Sequence, residues 1–292
     1  MSSHFATLRF DRRVAAPAGT VWQAWTSPEA RALWAAAAAP QMQVEVLQAE
    51  TGVGGREVSL CRVPGQPDIR CEVGWLDLQA VRRGVNSETV ARGGVPRSVA
   101  LVTADLAAEG DEATALSVTV QLSAADAAVE ADYREGFAAG LAALAGLAER
   151  TMVLQRVIRA PRRLVSGAWL SPEALPQWWG PGGFSCRTKR IDLRAGGDWV
   201  FDMIGPDGTV FPNHHRYSEM REDRIAYTLH WGEDGPKHAD AWAMFEDLDG
   251  STRVTLAMVF ATVDEFAAAK GFGAPELGLQ TLGKLARFIG AD

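Results

Sequence analysis

Arg12-Arg13-Val14-Ala15-Ala16-Pro17, Val21-Trp22-Gln23-Ala24-Trp25, Ser27-Pro28-Glu29-Ala30 and Trp34 recur further along as Arg156-Val157-Ile158-Arg159-Ala160-Pro161, Val165-Ser166-Gly167-Ala168-Trp169, Ser171-Pro172-Glu173-Ala174 and Trp178. Pro17 and Pro161, Trp25 and Trp169, and Trp34 and Trp178 each stand 144 residues apart, with no gap between them. Self-similarity at a fixed spacing is the mark of a duplicated structural unit. A weaker echo follows at Gly54-Gly55 and Gly196-Gly197. Both copies also end in an apolar-periodic stretch, Leu141, Leu144 and Leu147 matching Leu282, Leu285 and Phe288. The copies therefore divide as 1–150 and 151–292, the first the more diverged. A chain of 292 residues also suits two domains of about 100–200 residues each.

Composition narrows the function classes. Hydrophobic residues are 47% and charged residues 22%, which fits a folded globular chain. The net charge of −7 comes without a basic cluster, so nucleic acid is not an expected partner. No apolar run approaches the roughly 18–20 residues that span a bilayer, and Met1–Phe10 lacks the pattern of a secretory signal. Cys61, Cys71 and Cys186 are odd in number and form no C-x-x-C pair. Reduced thiols in a cytoplasmic protein are the expectation.

The second copy reads in order as follows. Met152–Arg159 alternates as a strand and stops at Pro161; Pro161–Leu170 carries helical spacing. Ser171 as N-cap and Pro172 at N1 restart a second short helix, ended at Trp178-Trp179-Gly180-Pro181. Strand patterns then run through Cys186–Leu193, Trp199–Ile204, Val210–Met220, Ile225–Trp231, Ala239–Asp247 and Arg253–Phe260, joined by turn signals such as Gly205-Pro206-Asp207-Gly208 and Asp249-Gly250. Val263–Ile289 is helical, with a break around Gly271–Pro275. The first copy has the same order and closes with a helix over Ala125–Arg150. The fold class is α+β: in each copy, a curved antiparallel sheet of about seven strands covered by a long carboxy-terminal helix.

Ala160-Pro161, Ala168-Trp169, Pro172-Glu173 and Trp178-Trp179-Gly180-Pro181 resemble the opening of SRPBCC (START/Bet v 1-like) domains. The branch they are most similar to is named for the activator of Hsp90 ATPase homologue 1. Gly196–Met203, Gly205–Gly208, Pro212-Asn213, Arg224–Thr228, Thr252–Leu256 and Gly278–Leu285 extend the resemblance over the whole second copy. In the first copy it is carried mainly by Ala16–Trp34 and the terminal helix. It implies tandem helix-grip (Bet v 1-like) domains with a cavity for lipid-like or polyketide-like molecules. Relatives of this kind include binding proteins, cyclases and stress-response proteins. No catalytic residue is common to the family.

Alternation along strands assigns the inner face. Trp199, Phe201 and Met203 share a face, and Asp202 opposite them marks the solvent side. Phe211, Asn213, His215 and Tyr217 go together, as do Ile225, Tyr227, Leu229 and Trp231, and Val254, Leu256, Met258 and Phe260. In Ala239–Glu246 the inward set is either Trp242 and Met244 or Ala241, Ala243 and Phe245; the resemblance favours the second. Trp178, Phe272, Glu276 and Gln280 complete the candidate ligand-binding set. At the places of Trp199, Phe201 and Met203 the first copy carries Glu57, Ser59 and Cys61, a smaller and more polar face. That points to a docking role for the first copy, or to a more polar ligand.

His215, Tyr217 and Glu276 are weak candidates for acid–base work, and the spacing does not demand a catalytic role for them. His214 and His215 point to opposite faces, and His230 and His238 lack ligand spacing, so no metal site is expected. No phosphate loop or dinucleotide fingerprint is present, and no cofactor is expected. The leading expectation is binding of a small apolar ligand, mainly in the second copy. The alternatives are a protein-interaction role of the chaperone-assisting, Hsp90 activator-like kind in a stress response, with a protein partner or a second copy of the chain, and a cofactor-free enzyme of cyclase or hydrolase type.

Overall fold

Pro17 and Pro161 each end a strand and open a helix, because proline offers no N–H to a ladder and its fixed φ suits a helix start. The computed structural model describes residues 4–291. The chain divides into two compact units between Glu149 and Arg150. In the first, β1 (His4–Val14) leads to α1 (Ala18–Thr26) and α2 (Pro28–Ala38). Six strands follow: β2 (Gln43–Ala49), β3 (Arg56–Arg62), β4 (Ile69–Gln79), β5 (Arg83–Arg92), β6 (Val95–Ala108) and β7 (Thr114–Ala124). The helix α3 (Ala127–Ala148) closes the unit. It begins two residues later than the sequence suggests because Asp126 caps it, its Oδ1 accepting from the Val129 N–H at 3.0 Å. The seven strands lie in the order β1-β7-β6-β5-β4-β3-β2, antiparallel throughout.

The second unit repeats this plan. It comprises β8 (Thr151–Ile158), α4 (Arg162–Leu170), α5 (Leu175–Trp178), β9 (Ser185–Ile191), β10 (Asp198–Ile204), β11 (Val210–Met220), β12 (Arg224–His230), β13 (Lys237–Asp247), β14 (Thr252–Phe260), α6 (Val263–Gly271) and α7 (Ala274–Phe288). Its sheet order is β8-β14-β13-β12-β11-β10-β9. The chain is thus two tandem helix-grip domains.

The matched residues turn out to be fasteners. Trp34 Nε1 donates to the Ala24 carbonyl at 2.9 Å, and Trp178 Nε1 to the Ala168 carbonyl at 3.0 Å. Thr114 Oγ1 donates to the Ala16 carbonyl and Thr252 Oγ1 to the Ala160 carbonyl, each at 2.8 Å and fully buried. These bonds pin the strand-to-helix corner of each half to its last strand. Gly54 and Gly196 take φ of +84° and +80°, and donate to the carbonyls of Trp75 and Tyr217. A side chain at Gly55 or Gly197 would collide with the Glu50 or Asp192 carbonyl oxygen at 2.3 Å.

Two expectations need correction, and one open choice is settled. Ser171 does cap, its Oγ accepting from Ala174 N–H at 3.1 Å, yet regular helix spans only Leu175–Trp178. Pro176 has no N–H to continue the turn that starts at Pro172. Asp202 is on the outer face but is only 3% exposed, because Arg187 and Lys189 reach across it at 2.8 and 2.7 Å. The charge does not mark open solvent there. In β13 the open choice of face falls to Ala241, Ala243 and Phe245, which pair with Met258, Leu256 and Val254, and Phe245 meets Trp169 edge-on at 5.4 Å. Trp242, on the other face, is buried as well.

Candidate functional site

One end of the second sheet is closed by α4 and α5. Trp169 contacts Trp178, Trp179 and Phe245 edge-on at 5.0–5.4 Å. Trp199 lies flat on Phe201 with ring centroids 3.7 Å apart. These side chains are fully buried apart from Trp179, and burying one such ring contributes roughly 1.5–3 kcal/mol. Toward the other end the packing stops, and α6 and α7 roof a cavity of about 500 Å³. Strand β10 lines it with Met203, β11 with Phe211, Asn213 and His215, and β12 with Leu229 and His230. Trp231 and His238 from the following turn and strand, Met258 and Phe260 from β14, and Phe272, Leu277, Gly278 and Thr281 from the roof complete most of the wall. The helical break predicted near Gly271–Pro275 supplies the bend in that roof. Gly273, at φ +84°, separates α6 from α7.

Of the candidate ligand-binding residues, Met203, Asn213, His215, Leu229, Trp231 and Phe272 come together on this wall. Phe272 and Trp231 stand 67% and 51% exposed, forming an apolar mouth. Trp178, Trp199, Phe201, Tyr217, Tyr227 and Phe245 share the inner face but belong to the closed end, packed solid. Glu276 and Gln280 lie outside the cavity. The inward stripe of α7 runs through Leu277, Gly278, Thr281 and Leu282, so the positions before them turn to solvent. Gln280 Oε1 accepts the Gly182 N–H at 3.1 Å instead.

His215 marks where the solid end meets the hollow one. Its ring stacks on Tyr227 at 4.8 Å and meets Trp179, Trp199 and Phe201 edge-on at 5.1–5.5 Å. Burial among these rings pushes its pKa down to about 3, so it is neutral at physiological pH. Burial likewise raises the Tyr217 and Tyr227 hydroxyls above their usual range and lowers His238. His215 and Tyr217 are 6.3 Å apart between ring centroids, and Glu276 is exposed on α7, off the cavity wall that His215 lines. The three candidates for acid–base work are not assembled. Lys284 is half-buried, and its Nζ donates to the carbonyls of Phe184, Pro181 and Trp179 at 2.9–3.5 Å, tying the Trp179–Phe184 loop to α7. Among the described residues no three His, Cys, Asp or Glu side chains gather as a metal cluster. His214 turns outward to Asp198 at 2.9 Å.

Sequence reasoning did not place Trp179, Phe184, Phe260, Leu277 and Thr281 in the site. A signal for Trp179 existed in the repeat itself. Trp178 matches Trp34, whereas Trp179 stands opposite Ala35. In the second half the shared tryptophan is the fastener and the unshared one lines the pocket.

The first half is also hollow, and more so: about 720 Å³ under α2 and α3. Glu57↔Val73 and Ser59↔Cys71 occupy the rungs where the second half has Trp199↔His215 and Phe201↔Asn213. Small and polar side chains in place of a stacked Trp–Phe pair open space, which corrects any weighting of the second half on size. Arg31 sits 5.4 Å over the Trp75 ring and 3.3 Å from Glu57.

The family model described as "Activator of Hsp90 ATPase homolog 1-like protein" matches residues 15–149 and again 159–286. Solved structures similar to this chain include structural-genomics proteins from three bacteria. The one from Nitrosomonas europaea is 26% identical over 48% of this chain and 94% of its own, with a TM-score of 0.43. That from Chromobacterium violaceum is 26% identical over 49% and 99%, TM-score 0.43. That from Rhizobium leguminosarum is 24% identical over 51% and 97%, TM-score 0.46. No curated protein matches the chain. Among the described residues no helix is long and apolar enough to cross a membrane.

Proposed function

Since the chain belongs, in both halves, to the activator of Hsp90 ATPase homolog 1-like family, we propose that its second half binds a small apolar molecule in the cavity beneath α6 and α7. The observation that carries this reading is an apolar hollow of about 500 Å³ with exposed Phe272 and Trp231 at its mouth. That size is within the range of about 300–1,000 Å³ typical of small-molecule sites. Each methylene moved from water into such a wall contributes about 0.8 kcal/mol. Asn213, whose side-chain N–H donates to the Phe211 carbonyl at 2.8 Å, leaves its side-chain oxygen to orient a polar end of the ligand. A cytoplasmic setting goes with this reading, as the three cysteines are free.

Native mass spectrometry of the purified chain, read for a retained small molecule, tests it directly. Leu277→Trp provides the control. Leu277 is a half-buried roof position, so a larger ring there plugs the hollow at little cost to the core. The variant is expected to release the retained molecule and to melt near the wild type. Retention unchanged in Leu277→Trp refutes the assignment.

A second reading, protein docking through the first half, has its own observation. On the outer sheet face Phe5 and Val99 flank Ser123 on adjacent strands, 74% and 53% exposed, with Leu101 one rung further on. Apolar side chains grouped in this way mark interaction surfaces. If the occupant is a second copy of the chain, sedimentation shows a dimer that Val99→Asp dissociates. A monomer at the highest soluble concentration removes this reading.

A further inference from the structure

The first half's cavity is lined by Glu88, Arg92, Arg97 and Asp132, whereas among the described residues no Asp, Glu, Lys or Arg lines the second half's; of the four, Glu88 is the carboxyl on the sheet side. Glu88 on β5 pairs with Val73 on β4 and Ala100 on β6. In the second half the same rung is Leu229, between His215 and Ala239. Glu88 is half-buried and lines the cavity, and among the described residues no ion pair reaches it. Arg31, the guanidinium that bears on it, is held by Glu57 at 3.3 Å. Arg97 is paired with Asp126 at 2.8 Å, and Arg92, which also lines the cavity, stands four residues further along the strand, a backbone rise of about 13 Å. A carboxylate removed from water without a cation is costly, and a ligand charge at that point offsets the cost.

The rest of the wall says what should carry that charge. Trp25, Trp34 and Phe137 give it apolar and aromatic surface, and ring faces attract ammonium groups. Tyr133 donates or accepts with Ser98 at 3.0 Å. Burial keeps its hydroxyl and the Cys61 and Cys71 thiols protonated; burial raises the Glu88 carboxyl too, against the Tyr133 and Cys71 hydrogen bonds and the Arg31 charge that favour its anion, so a cation brought to this point would fix the carboxylate form. We infer that the first cavity binds a small apolar molecule bearing one protonated amine, with the ammonium on Glu88. This is a different site and a different ligand class from the cavity of the second half.

Calorimetry on the full chain tests it with three probes of one shape: phenylpropylamine, phenylpropanol and phenylpropionate. The amine is expected to bind at least about tenfold more tightly than the alcohol, a difference of about 1.4 kcal/mol, with the carboxylate weakest. Glu88→Gln and Glu88→Leu, the latter installing the residue of the second half, should erase the preference for amine over alcohol. Leu277→Trp, which blocks the other cavity, should leave the preference intact. An amine that fails to bind, an alcohol that binds as tightly, a preference that survives in Glu88→Gln, or one lost in Leu277→Trp each overturns the inference. The probe comparison on the wild type stands even if a variant fails to fold.

Discussion

Replacing Tyr217 by phenylalanine removes one oxygen from the closed end of the second half and leaves the ring where it is. The side chain is 3% exposed, and its hydroxyl finds no hydrogen-bond partner among the described residues. Its ring contacts, Tyr227 at 5.8 Å and His215 at 6.3 Å, survive the change. Burying an unpaired hydroxyl costs about 1–3 kcal/mol on the scale of protein mutations. The void left by one oxygen takes back a part of that. The expected result is a net stabilisation of about 1 kcal/mol, or roughly 3–5 °C in melting temperature for a domain of this size. Tyr133→Phe is the paired control and should go the other way. Its hydroxyl is 3.0 Å from Ser98 Oγ in a buried pair, so removing it strands the serine and costs about 1–2 kcal/mol. Scanning calorimetry of the two variants beside the wild type reads both signs. A Tyr217→Phe protein that melts lower than wild type, or two variants that shift in the same direction, refutes the reading of the buried hydroxyl.

Acid sensitivity follows from His215. Its pKa is about 6.5 unfolded and about 3 folded, so the stability it contributes is complete above pH 6.5. It is lost as pH falls toward 3, at up to about 1.4 kcal/mol per unit; His230 and His238, also lowered, act in the same sense. Urea midpoints at pH 7 and pH 5 should separate more in the wild type than in His215→Phe; equal separations would count against it. Thr252→Val and Thr114→Val each break a buried 2.8 Å clamp and should cost about 1–2 kcal/mol, read by denaturant unfolding. An effect confined to one half would mean the clamps are not equivalent. Gly273→Ala forces a side chain onto φ +84° and is expected to cost about 1 kcal/mol, with ligand retention falling as the roof shifts. A neutral outcome would place the bend elsewhere.

The duplication, the succession of elements along the chain and the inner faces were legible because each rests on local chemistry: proline corners, glycine turns and side-chain alternation with period two. The position of the hollow was not legible. Alternation states which face a residue takes and says nothing of its place along the strand. Trp199 and Met203 therefore looked equivalent, although one is under the α4–α5 tryptophans and the other under the open roof. That boundary is set by where Trp169, Trp178 and Trp179 dock, a long-range contact between the helices and the sheet. Glu276 and Gln280 failed for a related reason. Their helix was recognised, but its angular setting on the sheet depends on the bend at Gly273.

Residues shared by the two halves are mostly ones that hold backbone to backbone: Trp34 and Trp178 on a helix carbonyl, Thr114 and Thr252 on the corner, Gly54-Gly55 and Gly196-Gly197 at the turn into the next strand. Residues that differ are inner-face rungs: Glu57 against Trp199, Ser59 against Phe201, Val73 against His215, Glu88 against Leu229. The sheet's ladder bonds and these clamps do not depend on what fills the interior, so the frame tolerates a change of contents that a solid core would resist. The first half shows how far this goes, since it keeps seven paired strands around about 720 Å³ of space and a carboxyl, Glu88, that no ion pair reaches among the described residues. A frame secured by ladder bonds and corner clamps is compatible with two copies whose interiors differ in charge. For that reason Glu88→Leu should alter what the first half binds before it alters whether that half folds.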